Sequence, residues 1–199
     1  IVDIASGYTH SIALASDGTV WAWGAGSNGR LGNGATANKS SAIQVNLTSG
    51  TDYLENVKKI GVGLDHSVAL LSNGTVMTWG NNTYGQLGNN TNTQSLYPTF
   101  VIDALTNSPI TDVIGLGSAN YAYNTGYIKQ DGTVYATGSN EQGKLAELPI
   151  GTNKYVSSRI APDMIKAQEN IITLRKTEEK QIEMGRQAGF NVYDLGEST

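Results

Sequence analysis

The chain has 199 residues, a formal net charge of -4, no cysteine and two histidines. A grip on nucleic-acid phosphates needs clustered Lys and Arg, so the acidic balance argues against nucleic acid as a partner. The missing cysteines exclude disulfides, thiolate metal sites and cysteine nucleophiles, and two histidines leave little for an imidazole metal site. No apolar run approaches the roughly 20 residues that span a bilayer as a helix, so no direct membrane insertion is expected. The chain opens on Ile1 rather than Met, so a preceding segment is expected.

In chain order, the first recognisable run is Ile4-Ala5-Ser6-Gly7-Tyr8-Thr9-His10-Ser11-Ile12-Ala13-Leu14. It leads into Asp17-Gly18-Thr19-Val20-Trp21-Ala22-Trp23-Gly24 and closes on Asn28-Gly29-Arg30-Leu31-Gly32. The whole pattern returns: Ile60 stands for Ile4, His66 for His10, Gly80 for Gly24 and Gly88 for Gly32, each 56 residues on. A third copy is looser. Asn124 replaces the histidine, Thr137 replaces Trp23 and Trp79, and four residues are inserted between Gly117 and Asn124.

Within each copy the period is two. His10, Ile12 and Leu14 point one way and Ser11 and Ala13 the other; Val20 and Ala22 alternate with Trp21 and Trp23. This predicts strand, tight turn, strand. Asp17-Gly18, Asn73-Gly74 and Asp131-Gly132 predict type I′ hairpin turns. Residues 33–47, 89–102 and 147–160 predict a surface loop and a further strand in each copy, with Pro98 at the start of an edge strand. Four strands per copy is the content of one propeller blade.

The run Ile-Ala-x-Gly-x-x-His-Ser-x-Ala-Leu, then Asp-Gly-Thr-Val-Trp-x-Trp-Gly, then Asn-x-x-Gly-x-Leu-Gly resembles the repeat of the regulator of chromosome condensation family. The resemblance covers residues 1–160 and implies an all-β fold of propeller blades, in a family whose rings usually have seven. The expected repeats are about 1–56, 57–112 and 113–160, an incomplete ring with two uncovered blade faces. The Asn- and Thr-rich loops resemble those of secreted or surface-attached bacterial members, which implies an extracellular or cell-surface location. The family namesake activates a small GTPase on chromatin, but no motif specific to that activity occurs in this chain. Fold likeness alone does not carry it over.

From residue 161 the glycine and tryptophan pattern stops and charge rises, with Lys166, Glu169, Arg175, Lys176, Glu178, Glu179, Lys180, Glu183 and Arg186 close together. This divergent tail reads as strands around Ile171–Leu174 and Gln181–Met184, or as a helix capped by Asp163. Phe190–Tyr193 could add a strand.

No catalytic constellation is expected. His10 and His66 recur at one repeat position, which points to a structural hydrogen bond inside each blade. Adjacent His and Ser on a strand point to opposite faces, wrong for a base and its nucleophile. No calcium loop, carboxylate pair or dinucleotide fingerprint is present, and no cofactor is expected. Gly18, Gly74, Gly132, Trp23 and Trp79 read as blade framework. The Asn-x-Ser/Thr triplets at Asn38, Asn46, Asn73, Asn81 and Asn89 are expected by chance in so Asn- and Thr-rich a chain.

The loops after the first strand of each copy differ most: Tyr8-Thr9, Leu64-Asp65 and Ser118 to Tyr123. Tyrosine offers large contact area at low entropy cost. Tyr8, Tyr121 and Tyr123 are therefore the candidate partner-binding residues. The sequence favours a non-enzymatic module that binds another protein or a surface polymer through these loops. The alternative is a structural subunit that self-associates through its open blade ends.

Overall fold

A computed structural model describes residues 1–160, apart from 49, 51, 119–120, 142–144 and 146–152. The tail's strand-or-helix alternatives and the strand at Phe190–Tyr193 lie outside the described residues. Contacts divide the chain into two units, Ile1–Ile160 and Ala161–Thr199.

The first unit is all-β. Strands β1 (Asp3–Ser6), β2 (His10–Leu14), β3 (Val20–Gly24) and β4 (Lys39–Gln44) form one antiparallel sheet in sequential order. Strands β5 (Val57–Val62), β6 (His66–Leu71), β7 (Val76–Gly80) and β8 (Ser95–Phe100) form a second. Strands β9 (Val113–Gly117), β10 (Asn124–Lys129), β11 (Val134–Gly138) and β12 (Lys154–Ile160) form a third. These are three propeller blades. Registers repeat with the sequence: His10 pairs with Gly24, His66 with Gly80, Asn124 with Gly138.

The hairpin turns stand where the Asp-Gly and Asn-Gly pairs put them, but they are not type I′. That turn needs a positive φ at both central residues. Gly18, Gly74 and Gly132 have φ of 85°, 84° and 81°, while Asp17, Asn73 and Asp131 are not in the left-handed region. The Gly18 N–H donates to the Ala15 carbonyl at 3.0 Å and the Ala15 N–H to Thr19 at 2.9 Å, closing a three-residue loop with a glycine bulge. The acidic or amide residue is selected for its side chain instead. Asp17 Oδ1 accepts from both the N–H and the hydroxyl of Thr19, at 3.0 and 2.7 Å. Asn73 with Thr75 and Asp131 with Thr133 repeat this. Asn81 and Asn89 hold Thr83 and Thr91 in the same way, as local Asx turns.

Pro98 lies inside β8 rather than at its start. It sits on the outermost strand, where the register with β7 slips between Thr78 and Gly80, so no ladder bond needs its missing N–H. The same slip occurs between Ala22 and Gly24 and between Ala136 and Gly138. The extra residues of each slip lie on the outermost strand, opposite Trp23, Trp79 or Thr137.

The cores lie between blades. Ile12, Leu14 and Val20 of blade 1 pack with Ala69, Met77 and Trp79 of blade 2. Val68, Leu70 and Val76 of blade 2 pack with Val113, Tyr127 and Tyr135 of blade 3. Each wholly buried aliphatic side chain contributes roughly 1.5–3 kcal/mol relative to exposure.

Candidate functional site

Two features converge at the loops that join the first and second strands of the blades. One is a polar relay across each seam. His10 Nε2 lies 3.0 Å from Ser67 Oγ, and that hydroxyl donates to the Arg30 carbonyl at 2.9 Å. His66 Nε2 lies 2.9 Å from Thr125 Oγ1, which donates to the Gln86 carbonyl at 3.2 Å. Each hydroxyl has one proton and spends it on the carbonyl, so each imidazole donates from Nε2. The histidine bonds thus cross to the next blade rather than staying inside their own. The opposite facing of His66 and Ser67 makes this possible: one reaches forward and the other back.

The second ring nitrogen, Nδ1, is buried without a partner in both histidines. A proton added there would meet no acceptor. Burial, with the Arg30 charge nearby, pushes the His10 imidazole down to about 4. Burial, with His10 nearby, pushes His66 down to about 3. Both are therefore neutral at physiological pH, framework groups rather than proton shuttles. Gly63 is glycine because a Cβ there would stand 2.4 Å from His66 Nδ1 and 2.7 Å from the Ala122 carbonyl.

The tryptophan position completes each seam. Trp79 is wholly buried and its Nε1 donates to the same Arg30 carbonyl at 3.0 Å. Thr137, its substitute in blade 3, donates to the Gly85 carbonyl at 2.8 Å. The change of residue preserves a bond to the preceding blade. Trp23, in blade 1, is only half-buried.

Arg30 carries charge into the first seam. Its Nε donates to the Ser27 carbonyl at 2.8 Å, and its guanidinium reaches Thr9 Oγ1 at 2.5 Å and Asp65 Oδ1 at 2.8 Å. In the second seam Gln86 replaces Arg30 and Tyr123 replaces Asp65. There Tyr123 packs on Tyr84 with ring centroids 5.0 Å apart. An ion pair in one seam is exchanged for an aromatic pair in the other.

The second feature is the loop face. Tyr8 and Tyr121, from blades 1 and 3, meet with ring centroids 5.6 Å apart, and each is 65% exposed. Tyr123 does not join them; it is half-buried against Tyr84. The first strands of the blades line a cleft of about 320 Å³, through Ala5, Ser6, Ile60, Gly61, Val62, Leu116 and Ser118. Ser6 and Ser118 lead directly into the loops that carry Tyr8 and Tyr121. Among the described residues no group of three His, Asp or Glu could hold a metal ion.

A model of the regulator of chromosome condensation (RCC1) repeat matches residues 17–70 and 73–118, and a second model of that repeat matches 1–30 and 57–86. The chain belongs to the RCC1 repeat family. It is 35% identical over 164 residues to human "Probable E3 ubiquitin-protein ligase HERC6", covering 79% of this chain and 15% of that protein. It is 32% identical over 137 residues to human "E3 ubiquitin-protein ligase HERC2", covering 68% and 3%. Among solved structures, human WBSCR16 superposes with a TM-score of 0.65 at 23% identity, covering 79% of this chain and 38% of that one. Prp20p from Saccharomyces cerevisiae does so with 0.59 at 21% identity, covering 81% and 39%. The chain thus spans less than a fifth of these ligases and about two fifths of these solved propellers. What it shares with them is the RCC1 fold.

Arg30, Gln86, Ser67 and Thr125 were not singled out from the sequence. The signal lay in paired change: Arg30 goes with Asp65, and Gln86 goes with Tyr123.

Proposed function

We propose that this chain is a non-enzymatic protein-binding module whose contact surface is the loop face around Tyr8 and Tyr121. One observation carries this: two strongly exposed tyrosines from different blades share a contact on top of a rigid frame. Buried relays fix the blades, so the aromatic pair is presented with little ordering cost. Solved RCC1 propellers support a protein partner. The Prp20p structure is described with its binding properties to Gsp1p and histones, and yeast RCC1 is described bound to Kap60. The reading extends to a secreted or cell-surface bacterial protein, for which the support is the Asn- and Thr-rich loops 33–38 and 89–94.

The test compares proteins captured by the wild-type chain and by a Tyr8→Ala/Tyr121→Ala variant. Specific partners are lost from the variant while its unfolding midpoint stays unchanged. Equal capture by both would place the contact surface elsewhere.

A further inference from the structure

The two seams have sockets of the same composition but fill them differently. In the first seam the socket is Leu14, Val20, Val45 and Gly32; in the second it is Leu70, Val76, Val101 and Gly88. The leucines and valines are all buried. Trp79 fills the first socket: a Cβ on Gly32 would stand 2.8 Å from its Nε1 and 2.8 Å from Val45. Thr137 has that place in the second seam, where a Cβ on Gly88 would stand 2.8 Å from its methyl group and 3.1 Å from Val101. Threonine is much smaller than tryptophan. A socket with the same walls therefore needs atoms from elsewhere to reach interior packing density.

Tyr127 supplies those atoms. It is wholly buried and shares a cluster with Leu70, Val76 and Val101. Its hydroxyl lies beside the side chains of Thr125 and Thr137, so the ring runs along the blade toward the tryptophan position. Thr125 pairs with Thr137 and Tyr127 with Tyr135, which makes Tyr127 the diagonal neighbour of Thr137, within reach of an aromatic side chain. In blade 2 the pairs Ser67–Trp79 and Ala69–Met77 make Ala69 the diagonal neighbour of Trp79. The large ring thus comes from β7 in the first seam and from β10 in the second, and each time its diagonal neighbour is small. Tyr135, which stands for Met77, lies under the Lys129 ammonium, 4.8 Å from its ring centre.

We propose that positions 69 and 79, like positions 127 and 137, form a two-part key: each socket takes one large ring, delivered from either strand, and the diagonal position must then be small. Ala69 with Trp79 and Tyr127 with Thr137 are equivalent fillings of the same space. Ala with Thr would leave a void, and Tyr with Trp would overfill it. The two departures of the third copy therefore cancel, and the loose match of its sequence does not mean a loose seam. The docking that Tyr127 completes brings Tyr121 of blade 3 to Tyr8 of blade 1.

Thermal unfolding of exchanged variants of the intact chain tests this. Tyr127→Ala empties the second socket and is expected to lower the midpoint by about 10 °C. Thr137→Trp alone overfills it and is expected to lower the midpoint by about 5 °C. The double variant Tyr127→Ala/Thr137→Trp carries the filling of the first seam and is expected to melt above Tyr127→Ala. The reciprocal exchange, Ala69→Tyr/Trp79→Thr, is expected to melt above Trp79→Thr. If either double variant fails to fold, or melts at or below Tyr127→Ala or Trp79→Thr respectively, the proposal is overturned. Tyr127→Phe keeps the ring and removes a hydroxyl that is buried without a hydrogen-bond partner. Its midpoint is expected within about 2 °C of the wild type; a loss nearer that of Tyr127→Ala would assign the role to the hydroxyl and also overturn the proposal. None of these variants alters Tyr8 or Tyr121, so the outcome is independent of the loop-face reading.

Discussion

His10 and Ser67 stand 57 residues apart in sequence and 3.0 Å apart in space, and their bond belongs to neither blade alone. It ends on the Arg30 carbonyl, so three segments share one relay. Ser67→Ala should therefore cost about 1–3 kcal/mol, because it strands a buried imidazole N–H and a buried carbonyl lone pair. Ser11→Ala, at the equivalent place in blade 1, should stay within about 0.5 kcal/mol. Urea unfolding of the two variants checks this. Equal effects would mean that the relay contributes nothing.

The neutral histidines set a pH dependence. In the unfolded chain an imidazole takes up a proton near pH 6.5; in the folded chain His10 resists until about 4 and His66 until about 3. The unfolded state binds more protons between those values. The stabilisation is thus full above pH 6.5 and is lost as pH falls toward 4 and 3, at up to about 1.4 kcal/mol per unit for each histidine. His66→Asn, which places at this position the residue that blade 3 already uses, should remove one of the two slopes. Unfolding free energies at pH 7, 6 and 5 for both proteins read this directly, since most carboxylates stay ionised over that range.

Gly63 and Gly132 separate two reasons for glycine. A methyl group on Gly63 would collide with the His66 ring and the Ala122 carbonyl, so Gly63→Ala should cost about 2 kcal/mol or more. Gly132 has a φ of 81° and open space around it, so Gly132→Ala meets only the left-handed backbone penalty, about 1 kcal/mol. Thermal midpoints rank the two; a reversed order would contradict the tight seam.

Asp65 neutralises a guanidinium whose side chain is 7% exposed. Asp65→Asn should cost about 1–3 kcal/mol, because Arg30 keeps Ser27 and Thr9 but loses its counter-charge. A double-mutant cycle with Arg30→Gln should show coupling of at least about 0.5 kcal/mol. Additive effects would reduce the pair to a surface contact.

Much of the fold was legible because recurrence marks elements directly. The hairpin positions of the first two blades follow from residues 56 apart. Turn chemistry was misread, since Asp-Gly suits a two-residue turn by composition, while the Thr19 bonds favour a longer one. The seam was illegible for a different reason. Recurrence shows that His10 and His66 matter but not what they touch, and their partners lie a whole blade away. The candidate site was half legible: Tyr8 and Tyr121 do meet, but Tyr123 is drawn off by Tyr84, whose neighbourhood only the folded blades define.

Because His66 reaches forward while Ser67 reaches back, each blade carries one half of two different joints. A copied stretch of 56 residues, inserted between two existing units, would arrive already able to fasten to both neighbours. Lengthening such an array requires no invention of new contacts, only tolerance at its two ends.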